Sequence, residues 1–355
     1  MEDGCTGNRS FLPAGFRPGT SRSHRHECHN PRNATGCMTL LYKTHRITPS
    51  RLFRAYTITV NMSAQTNTRV KLNDGASIPV VGFGAGTALF GKENVQVIKK
   101  ALSTGYRYLD GAQMYKNSES IGTALKESGV KRDDVFILTK LGKDGASSDE
   151  IEPRRVLQEE LKKLQTDHVD LFLIHNPFYV GDRGLAGTWA VMEELVKEGL
   201  TRSIGVSNFR EEDLLELEKT WKIKPAVNQI EFHPYLFHAA NVQRLLALQK
   251  KHDIKVQSYG PQTPLFRVPG GPVDPVAERV AKEQGLTPGQ VLLLWAHQYT
   301  GGVVVTTSRD DGRQQEQLDA FKHSLTQEQV DAISEAGRGK FYRHFMAVVW
   351  DHAKP

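Results

Sequence analysis

Short apolar runs alternate with longer amphipathic segments through most of the chain. Runs of this length between polar or glycine-containing stretches are typical of buried strands, and eight of them occur at residues 80–83, 106–109, 135–138, 169–174, 202–206, 226–230, 255–258 and 303–305. Apolar residues recur at helical spacing between them, in segments at residues 94–103, 118–128, 153–164, 190–198, 211–221, 241–252, 290–299 and 312–321. The pattern therefore predicts eight strand–helix units.

Eight such units in succession predict an α/β fold whose strands pair in parallel through right-handed crossovers. That number matches a closed (β/α)8 TIM barrel. An open, doubly wound sheet is the alternative, but it would carry a glycine-rich dinucleotide fingerprint after its first strand. Gly82, Gly84 and Gly86 have the wrong spacing for it, and no helix follows them directly. Ahead of the barrel, an Asn-Asp-Gly turn at residues 73–75 predicts an N-terminal β-hairpin.

The first 61 residues differ in composition from the rest of the 355-residue chain. They hold nine basic residues, only three acids and all three cysteines, so the net charge of +6 belongs to them and the remainder is neutral. They lack strand or helix periodicity until about Leu52, and we expect a disordered leader or extension. Residues 62–355 are expected to form the barrel domain.

Two origins of this leader remain open. It is Arg-rich, contains Ser and is poor in acids, as organellar transit peptides are, which would place the protein in mitochondria. Alternatively it is an upstream extension, Met62 begins the working protein, and the location is cytoplasmic. The second interpretation is favoured because the segment is not clearly amphipathic and begins with Glu2 and Asp3. An odd trio of cysteines also fits a reducing compartment.

Composition limits the classes of molecule that the protein is expected to bind. The neutral body offers no basic face for nucleic acid, and no run approaches the roughly 18 apolar residues that span a bilayer. A dense group of metal-ligand types occurs in the leader at His24, His26, Cys28 and His29, but it lacks a second matched pair, so no metal is expected. We expect a small-molecule substrate and a monomer or weak dimer.

Polar residues end three consecutive predicted strands. Asp110 follows the second strand, Lys140 ends the third, and His175 follows the fourth; Tyr115 lies on the loop after Asp110. In a β/α barrel the carboxyl ends of the strands meet at one face, where the active site lies. Each residue alone could cap a helix or be solvated, but their joint placement predicts one catalytic mouth.

At these positions the chain resembles the aldo-keto reductases. The resemblance rests on five motifs in the order of that family: LDGAQMYKNSESIG (109–122), ILTK (137–140), DLFLIHNP (170–177), IGVSNF (204–209) and NQIEFHP (228–234). It implies a TIM-barrel oxidoreductase that transfers hydride between NAD(P)H and a carbonyl, with Asp110, Tyr115, Lys140 and His175 as its catalytic tetrad.

The chemistry of a carbonyl reduction suits these residue types. The reaction needs hydride at carbon and a proton at oxygen, and the resemblance makes Tyr115 the proton donor. A free tyrosine is a weak acid at neutral pH; we expect Lys140 to lower the pKa of Tyr115 by stabilising its phenolate. Asp110 would hold Lys140 as its ion-pair partner, and His175 would donate a hydrogen bond to the substrate oxygen.

The resemblance also implies where the cofactor binds. Ser207, Asn208 and Gln229 would hold the nicotinamide carboxamide, Tyr259 would stack on the nicotinamide, and Gly260 would begin the loop that crosses the pyrophosphate. The other predicted cofactor contacts are Thr87, Thr307, Ser308, Arg309, Arg313, Glu316 and Gln317.

One departure from the family bears on the choice of cofactor. Thr307 stands where many relatives have a lysine that helps to bind the 2′-phosphate of NADPH. Arg309 and Arg313 remain, and a guanidinium suits a phosphate, whereas Asp310 and Asp311 would oppose it. NADPH is the expected cofactor and NADH the alternative.

A second departure reshapes the predicted substrate pocket. Ala88 stands where many relatives have Trp, and Leu89 and Phe178 are expected to line the pocket with it. Together with SYGPQTPLFRV (258–268) and FYRHF (341–345), the sequence resembles a fungal subgroup that reduces ketopantoyl lactone and other conjugated polyketones. The aromatic stretch 341–350 is expected to form a loop over the active-site mouth, with packing against the barrel wall as the alternative.

Three functions therefore stay open. The first is NAD(P)H-dependent reduction of a small ketone, conjugated polyketone, lactone or aldehyde. The second is a non-catalytic, cofactor-binding regulatory subunit, since the family includes ion-channel β subunits. The third is a sugar or alcohol dehydrogenase working oxidatively, because the same tetrad catalyses both directions.

Overall fold

The computed structural model describes residues 68–350 except 144, 146 and 148. The predicted leader, with its cysteines and histidines, lies outside the described residues. The strands are β1 (Arg69–Lys71), β2 (Ser77–Pro79), β3 (Val81–Gly84), β4 (Tyr108–Asp110), β5 (Phe136–Leu141), β6 (Val169–Ile174), β7 (Thr201–Ser207), β8 (Val227–Glu231), β9 (Lys255–Tyr259) and β10 (Val303–Thr306).

Strands β3 to β10 form the predicted barrel. Each pairs in parallel with its neighbour in the chain, and β10 closes the ring by pairing with both β9 and β3. Ahead of it, β1 and β2 form the predicted antiparallel hairpin, in which Val70 lies opposite Ile78. The predicted (β/α)8 barrel and hairpin are confirmed, and the open sheet is excluded.

The helices are α1 (Val95–Thr104), α2 (Ser118–Ser128), α3 (Pro153–Leu164), α4 (Gly184–Lys197), α5 (Glu211–Glu218), α6 (Ala240–His252), α7 (Thr263–Arg267), α8 (Val273–Gln284), α9 (Pro288–Thr300), α10 (Asp311–Asp319), α11 (Gln327–Arg338) and α12 (Ala347–Trp350). The eight predicted helices are present. Helices α7, α8, α11 and α12 were not predicted.

Local sequence explains where the helices begin. Thr287 and Thr326 each accept a hydrogen bond from the backbone three residues on, while a glutamine there returns one, so α9 and α11 each start in a capping box. Helix α3 starts with a proline at its first position, behind a Glu152 cap. These local signals therefore determine at which residue each of the three helices begins.

The C-terminal segment lies at the carboxyl end of the barrel, as predicted. The backbone N–H of Tyr342 donates to the carbonyl of Tyr235 at 2.9 Å, and Phe345 and Met346 line the cavity at the mouth. Beyond them, Val349 and Trp350 are buried. The stretch therefore both crosses the mouth and packs against the protein.

Within the part of the chain that the structure describes, no helix combines the length and the apolar character that crossing a membrane requires. No group of three or more His, Cys, Asp or Glu side chains there is arranged to hold a metal ion.

Gly122 should be indispensable to the packing of α2, the helix that follows the Tyr115 loop. A Cβ at Gly122 would lie 2.6 Å from the carbonyl oxygen of Lys163 and 2.7 Å from that of Leu164, and backbone cannot move aside cheaply. We expect Gly122→Ala to lower the free energy of unfolding by about 1–3 kcal/mol, measured by urea denaturation.

Gly312→Ala is the matched control, because Gly312 is also helical and its new Cβ would meet only Asp310 Oδ1 at 3.4 Å. It should be neutral or stabilising by up to about 1 kcal/mol, through the lower entropy of the unfolded chain. Equal losses in both variants would contradict the packing explanation.

Candidate active site

The barrel register brings the predicted tetrad to one face. Asp110 is the last residue of β4 and pairs with Leu138 of β5. Lys140 lies two residues further along β5 and pairs with Leu173 of β6, and His175 comes directly after β6. Three neighbouring strands thus present a carboxylate, an ammonium and an imidazole at the same end of the barrel.

Lys140 and Asp110 form a buried ion pair. Lys140 Nζ lies 2.5 Å from Asp110 Oδ1, and the two side chains are 0% and 2% exposed. Nζ also donates to the carbonyl of Gly111 at 2.9 Å. The other carboxylate oxygen of Asp110 accepts from Gln229 at 2.6 Å and from Tyr108 at 3.1 Å. Each charge is therefore paired and hydrogen-bonded, as burial requires.

Tyr115 reaches this pair from a short 3₁₀-helix, Gln113–Tyr115, that follows β4. Its hydroxyl lies 3.4 Å from Lys140 Nζ, and its ring stands edge-on to the His175 ring at 5.5 Å. The Tyr115 carbonyl accepts from the backbone of Gly91. A Cβ at Gly86 would lie 2.9 Å from Tyr115 Cζ, so only glycine allows the chain to pass beside the phenol.

The pKa of Tyr115 corrects one expectation. Burial, and secondly the charge of Asp110, raise the pKa of Tyr115 well above its ordinary value, whereas we expected Lys140 to lower it. The physical reason is that a phenolate deep in the protein loses hydration, while Asp110 already neutralises Lys140. Burial in turn lowers the pKa of Lys140, with Asp110 opposing that shift. At neutral pH Tyr115 is a phenol and keeps its proton.

His175 is neutral at physiological pH. Burial, and secondly the charge of Lys140, lower the pKa of His175 well below its ordinary value. Its backbone N–H donates to Leu141 and its carbonyl accepts from the Asn208 side chain at 2.9 Å. Its Nδ1 is buried without a hydrogen-bond partner among the described residues. A neutral imidazole here can orient a substrate oxygen but does not carry charge.

A cavity of about 570 Å³ opens beside the tetrad, within the usual range for small-molecule sites. Of the predicted site residues it is lined by Asp110, Tyr115, His175, Thr87, Ser207, Asn208, Gln229, Tyr259, Gly260, Thr307, Arg313 and Gln317. Lys140 is fully buried behind Tyr115. The predicted catalytic and cofactor-binding groups therefore surround one space.

At the inner end of the cavity, strand ends present amide and hydroxyl groups. Ser207 Oγ donates to the Gln229 carbonyl at 2.9 Å, and Tyr259 Oη donates to Asn208 Oδ1 at 2.7 Å. Asn208 has a left-handed backbone, with φ of 59°, a conformation that asparagine tolerates better than most residues. The groups suit a planar carboxamide, which needs both donors and acceptors.

At the outer end, buried polar atoms lack partners. Thr307 Oγ1 and Gln317 Oε1 are buried with no hydrogen-bond partner among the described residues, and both residues line the cavity. Arg313 lines it as well; it lies in the first turn of α10, where its backbone N–H donates to the side chain of the capping Asp310. Unsatisfied buried groups beside a guanidinium fit the polar, anionic half of a dinucleotide.

Three predicted cofactor contacts do not line the cavity. Ser308 Oγ is engaged with the backbone of Asp310. Glu316 accepts from Thr287 Oγ1 at 2.6 Å and so joins α10 to α9. Arg309 is exposed outside the cavity lining.

The three predicted substrate contacts also differ from expectation. Leu89 is 0% exposed and packs in the core, so it supports the loop rather than contacting a ligand. Ala88 is exposed outside the cavity lining. Phe178 is 56% exposed, packs against the Arg210 guanidinium at 5.8 Å from its ring centroid, and does not line the cavity.

The apolar residues of the cavity lining that were not predicted as site residues include Phe90, Met114, Phe266, Phe345 and Met346. Phe90 lies one residue beyond the predicted pair and meets the Tyr115 ring at 6.2 Å. Met114 neighbours Tyr115 in the chain. For Phe345 and Met346 the aromatic composition of the C-terminal stretch was a signal, but nothing local identified which residues face the cavity.

Comparison with known proteins agrees with this geometry. A model of the aldo/keto reductase family matches residues 81–267. The NAD/NADP-dependent indole-3-acetaldehyde reductase of Schizosaccharomyces pombe is 38% identical over 282 residues, which cover 77% of this chain and 96% of that protein. Methylglyoxal reductase DkgA of Escherichia coli is 37% identical over 274 residues, 77% of this chain and 94% of DkgA.

Solved structures of aldo/keto reductases are also similar to this protein. An aldo/keto reductase from Brucella melitensis superposes with a TM-score of 0.67 at 35% identity, covering 76% of this chain and 99% of that one. A Bombyx mori aldo-keto reductase in complex with NADP gives a TM-score of 0.68 at 31% identity, covering 80% and 96%. The family match spans the barrel strands that carry the tetrad, and the chain therefore belongs to the aldo/keto reductase family of oxidoreductases.

Proposed function

We propose that this protein reduces small aldehydes and ketones with NADPH, and that Tyr115 delivers the proton. One observation carries the proposal: a phenol that keeps its proton lies 3.4 Å from a buried, paired ammonium at the wall of a ligand-sized cavity. A general acid must be protonated at the working pH and within reach of the reacting oxygen. A regulatory, non-catalytic role would not require this buried charge.

Each tetrad member has a distinct task. Tyr115 donates its proton to the carbonyl oxygen, and Lys140 stabilises the phenolate that this transfer leaves behind. Asp110 keeps Lys140 charged and in place. His175, neutral and edge-on to the Tyr115 ring, orients the carbonyl oxygen by a hydrogen bond. Such preorganised groups act where charge develops during the reaction.

NADPH fits the rest of the cavity. When bound, the nicotinamide supplies the hydride. Ser207, Asn208 and Gln229 would hold its carboxamide and Tyr259 its ring, while Arg313 would meet the 2′-phosphate. NADP in the Bombyx mori relative and the dual dependence named for the Schizosaccharomyces pombe relative support a nicotinamide dinucleotide, and Thr307 leaves NADH as a second cofactor.

Aldehydes are the first substrate class to assay for this proposed activity. The relatives are named for methylglyoxal and indole-3-acetaldehyde, and the mouth is built from apolar and aromatic groups, with Phe90, Met114 and Phe345 around the tetrad. Such walls favour uncharged carbonyl compounds. Ketopantoyl lactone and isatin extend the panel to the conjugated dicarbonyls that the sequence resemblance suggests.

Tyr115→Phe should abolish catalysis and spare cofactor binding. Removing one hydroxyl deletes the proton donor, and we expect kcat to fall by a factor of about 10²–10⁴. NADPH oxidation measured with each carbonyl gives kcat, and fluorescence titration gives the Kd of NADPH, which should change little. Tyr299→Phe, in the aromatic cluster with Trp295, is the matched control and should retain activity. Full turnover by the Tyr115 variant would mean that another group supplies the proton.

The acid side of the pH profile should be flat. His175 acts in its neutral form, which exists above its pKa; since that pKa is well below its ordinary value, the active form persists into acid. We expect kcat/KM for reduction to show no inflection near pH 6.5 between about pH 5 and pH 8. An inflection near that value, absent from a His175→Gln variant, would show that His175 titrates normally.

Arg313→Ala should discriminate between the two cofactors. Of the two arginines after β10, Arg313 lines the cavity and Arg309 does not, so Arg313 is the one placed to meet a phosphate inside it. We expect KM for NADPH to rise about fivefold or more, with KM for NADH nearly unchanged. Arg309→Ala, in the segment just before α10, is the matched comparison and should have little effect. The reverse ranking of the two variants would contradict the assignment.

A further inference from the structure

A buried glutamate that the proposed chemistry does not use lies beside the site. Glu231 is the last residue of β8, and its side chain is 0% exposed. It comes two residues after Gln229, at the same end of the barrel. A carboxylate out of water is costly unless its oxygens are fully engaged, so its partners indicate what it does.

Those partners are in the C-terminal strap, which we define as residues 341–346. The backbone N–H of His344 donates to Glu231 Oε1 at 2.9 Å and lies 3.2 Å from Oε2. The N–H of Phe345 donates to Oε2 at 2.9 Å, and an Arg343 guanidinium nitrogen lies 4.0 Å away. The remaining contact is with His233, at 3.1 Å. One carboxylate thus joins a barrel strand to residues more than a hundred positions later.

The residues that Glu231 holds form part of the mouth. Phe345 and Met346 line the cavity. The Phe345 ring meets the Tyr259 ring edge-on at 5.6 Å, and Met346 Sδ accepts from the Asn176 side chain at 3.7 Å. Glu231 therefore fixes the backbone from which one wall of the substrate mouth projects, and it does so without touching the space where a substrate would lie.

We propose that Glu231 is a positioning residue that ties the C-terminal strap to β8 and thereby sets how the mouth fits its carbonyl substrate. This rests on the proposed function for the identity of the substrate, but not for the tie itself. Glu231→Gln turns one carboxylate oxygen into an NH₂ donor, so a backbone N–H of the strap loses its acceptor, while β8 keeps its ladder of hydrogen bonds to β7 and β9. The strap should loosen and the barrel should remain folded.

Limited proteolysis tests the tie without any assay of activity. Trypsin can cut after Arg338, Lys340 and Arg343, which lie at and before the strap. In full-length Glu231→Gln we expect cleavage there, followed by intact mass, to accelerate about tenfold, since an unsatisfied buried group favours local opening. Glu160→Gln is the matched control: Glu160 is equally buried, but its partners are Ser118, Thr139 and Lys163. It should leave strap cleavage unchanged.

Kinetics test what the tie does for the site. With NADPH saturating, we expect Glu231→Gln to raise KM for indole-3-acetaldehyde roughly three- to tenfold. This is the effect expected from losing one aromatic contact, that between Phe345 and the indole ring. KM for methylglyoxal, which has no aromatic ring to pack against Phe345, and kcat for both should change little. Phe345→Leu should raise the same KM by itself and add little in the Glu231→Gln background, because both changes remove one contact.

The outcomes separate the two proposals. If wild type reduces no carbonyl, the proposed function fails, and proteolysis still decides on the tie. Unchanged strap cleavage in Glu231→Gln overturns the tie. Accelerated cleavage with unaltered KM, or independent effects of Glu231→Gln and Phe345→Leu, overturns the positioning role. If Glu231→Gln does not fold, Glu231→Asp, which keeps the charge but shortens the reach, must show the same faster cleavage and higher KM.

Discussion

The ion pair between Lys140 and Asp110 is the interaction on which the rest of the site depends. Two charges at the end of a closed barrel are tolerable only because each is engaged by the other and by further hydrogen bonds. Loss of either partner would leave the other charge buried and unpaired, which would lower the free energy of unfolding by about 3–5 kcal/mol. The pair therefore fixes the ammonium beside Tyr115. Burial of the phenol raises the pKa of Tyr115 and burial of the imidazole lowers the pKa of His175, and the charges of Asp110 and Lys140 add to these shifts.

Parallel closure of the strands explains why sequence alone predicted so much of this site. Asp110, Lys140 and His175 end neighbouring strands, so recognising three strands was enough to predict that they meet. The strand signal was local, a short apolar run followed by a polar residue. Tyr115 needed more, because its place on a loop is not set by strand geometry, and there the family motif supplied the information.

What sequence could not predict depends on packing between distant parts of the chain. Phe345 and Met346 reach the mouth only because the C-terminus returns across the barrel, and Leu89 turned inward although its neighbours suggested a pocket residue. The direction of the Tyr115 pKa was wrong for the same reason: Lys140 was visible in the motif, but the extent of burial was not. Helix α8 was not predicted although its apolar residues recur at regular spacing, because it is an additional helix outside the eight alternating strand–helix units.

The residues proposed to take part in proton transfer and the residues that shape the cavity wall lie on different parts of the fold. Asp110, Lys140 and His175 stand at or directly after strand ends, where hydrogen-bonded neighbouring strands hold them in place, and Tyr115 reaches them from the short segment after β4. Other residues of the cavity wall, such as Phe90 and Phe345, stand on segments outside the barrel sheet, the loop after β3 and the strap. Change in those segments can alter which carbonyl fits while the proton donor keeps its geometry. The strap would fit a substrate poorly unless something fixed it, and the buried carboxylate of Glu231 meets that need because its strand is hydrogen-bonded to neighbours on both sides.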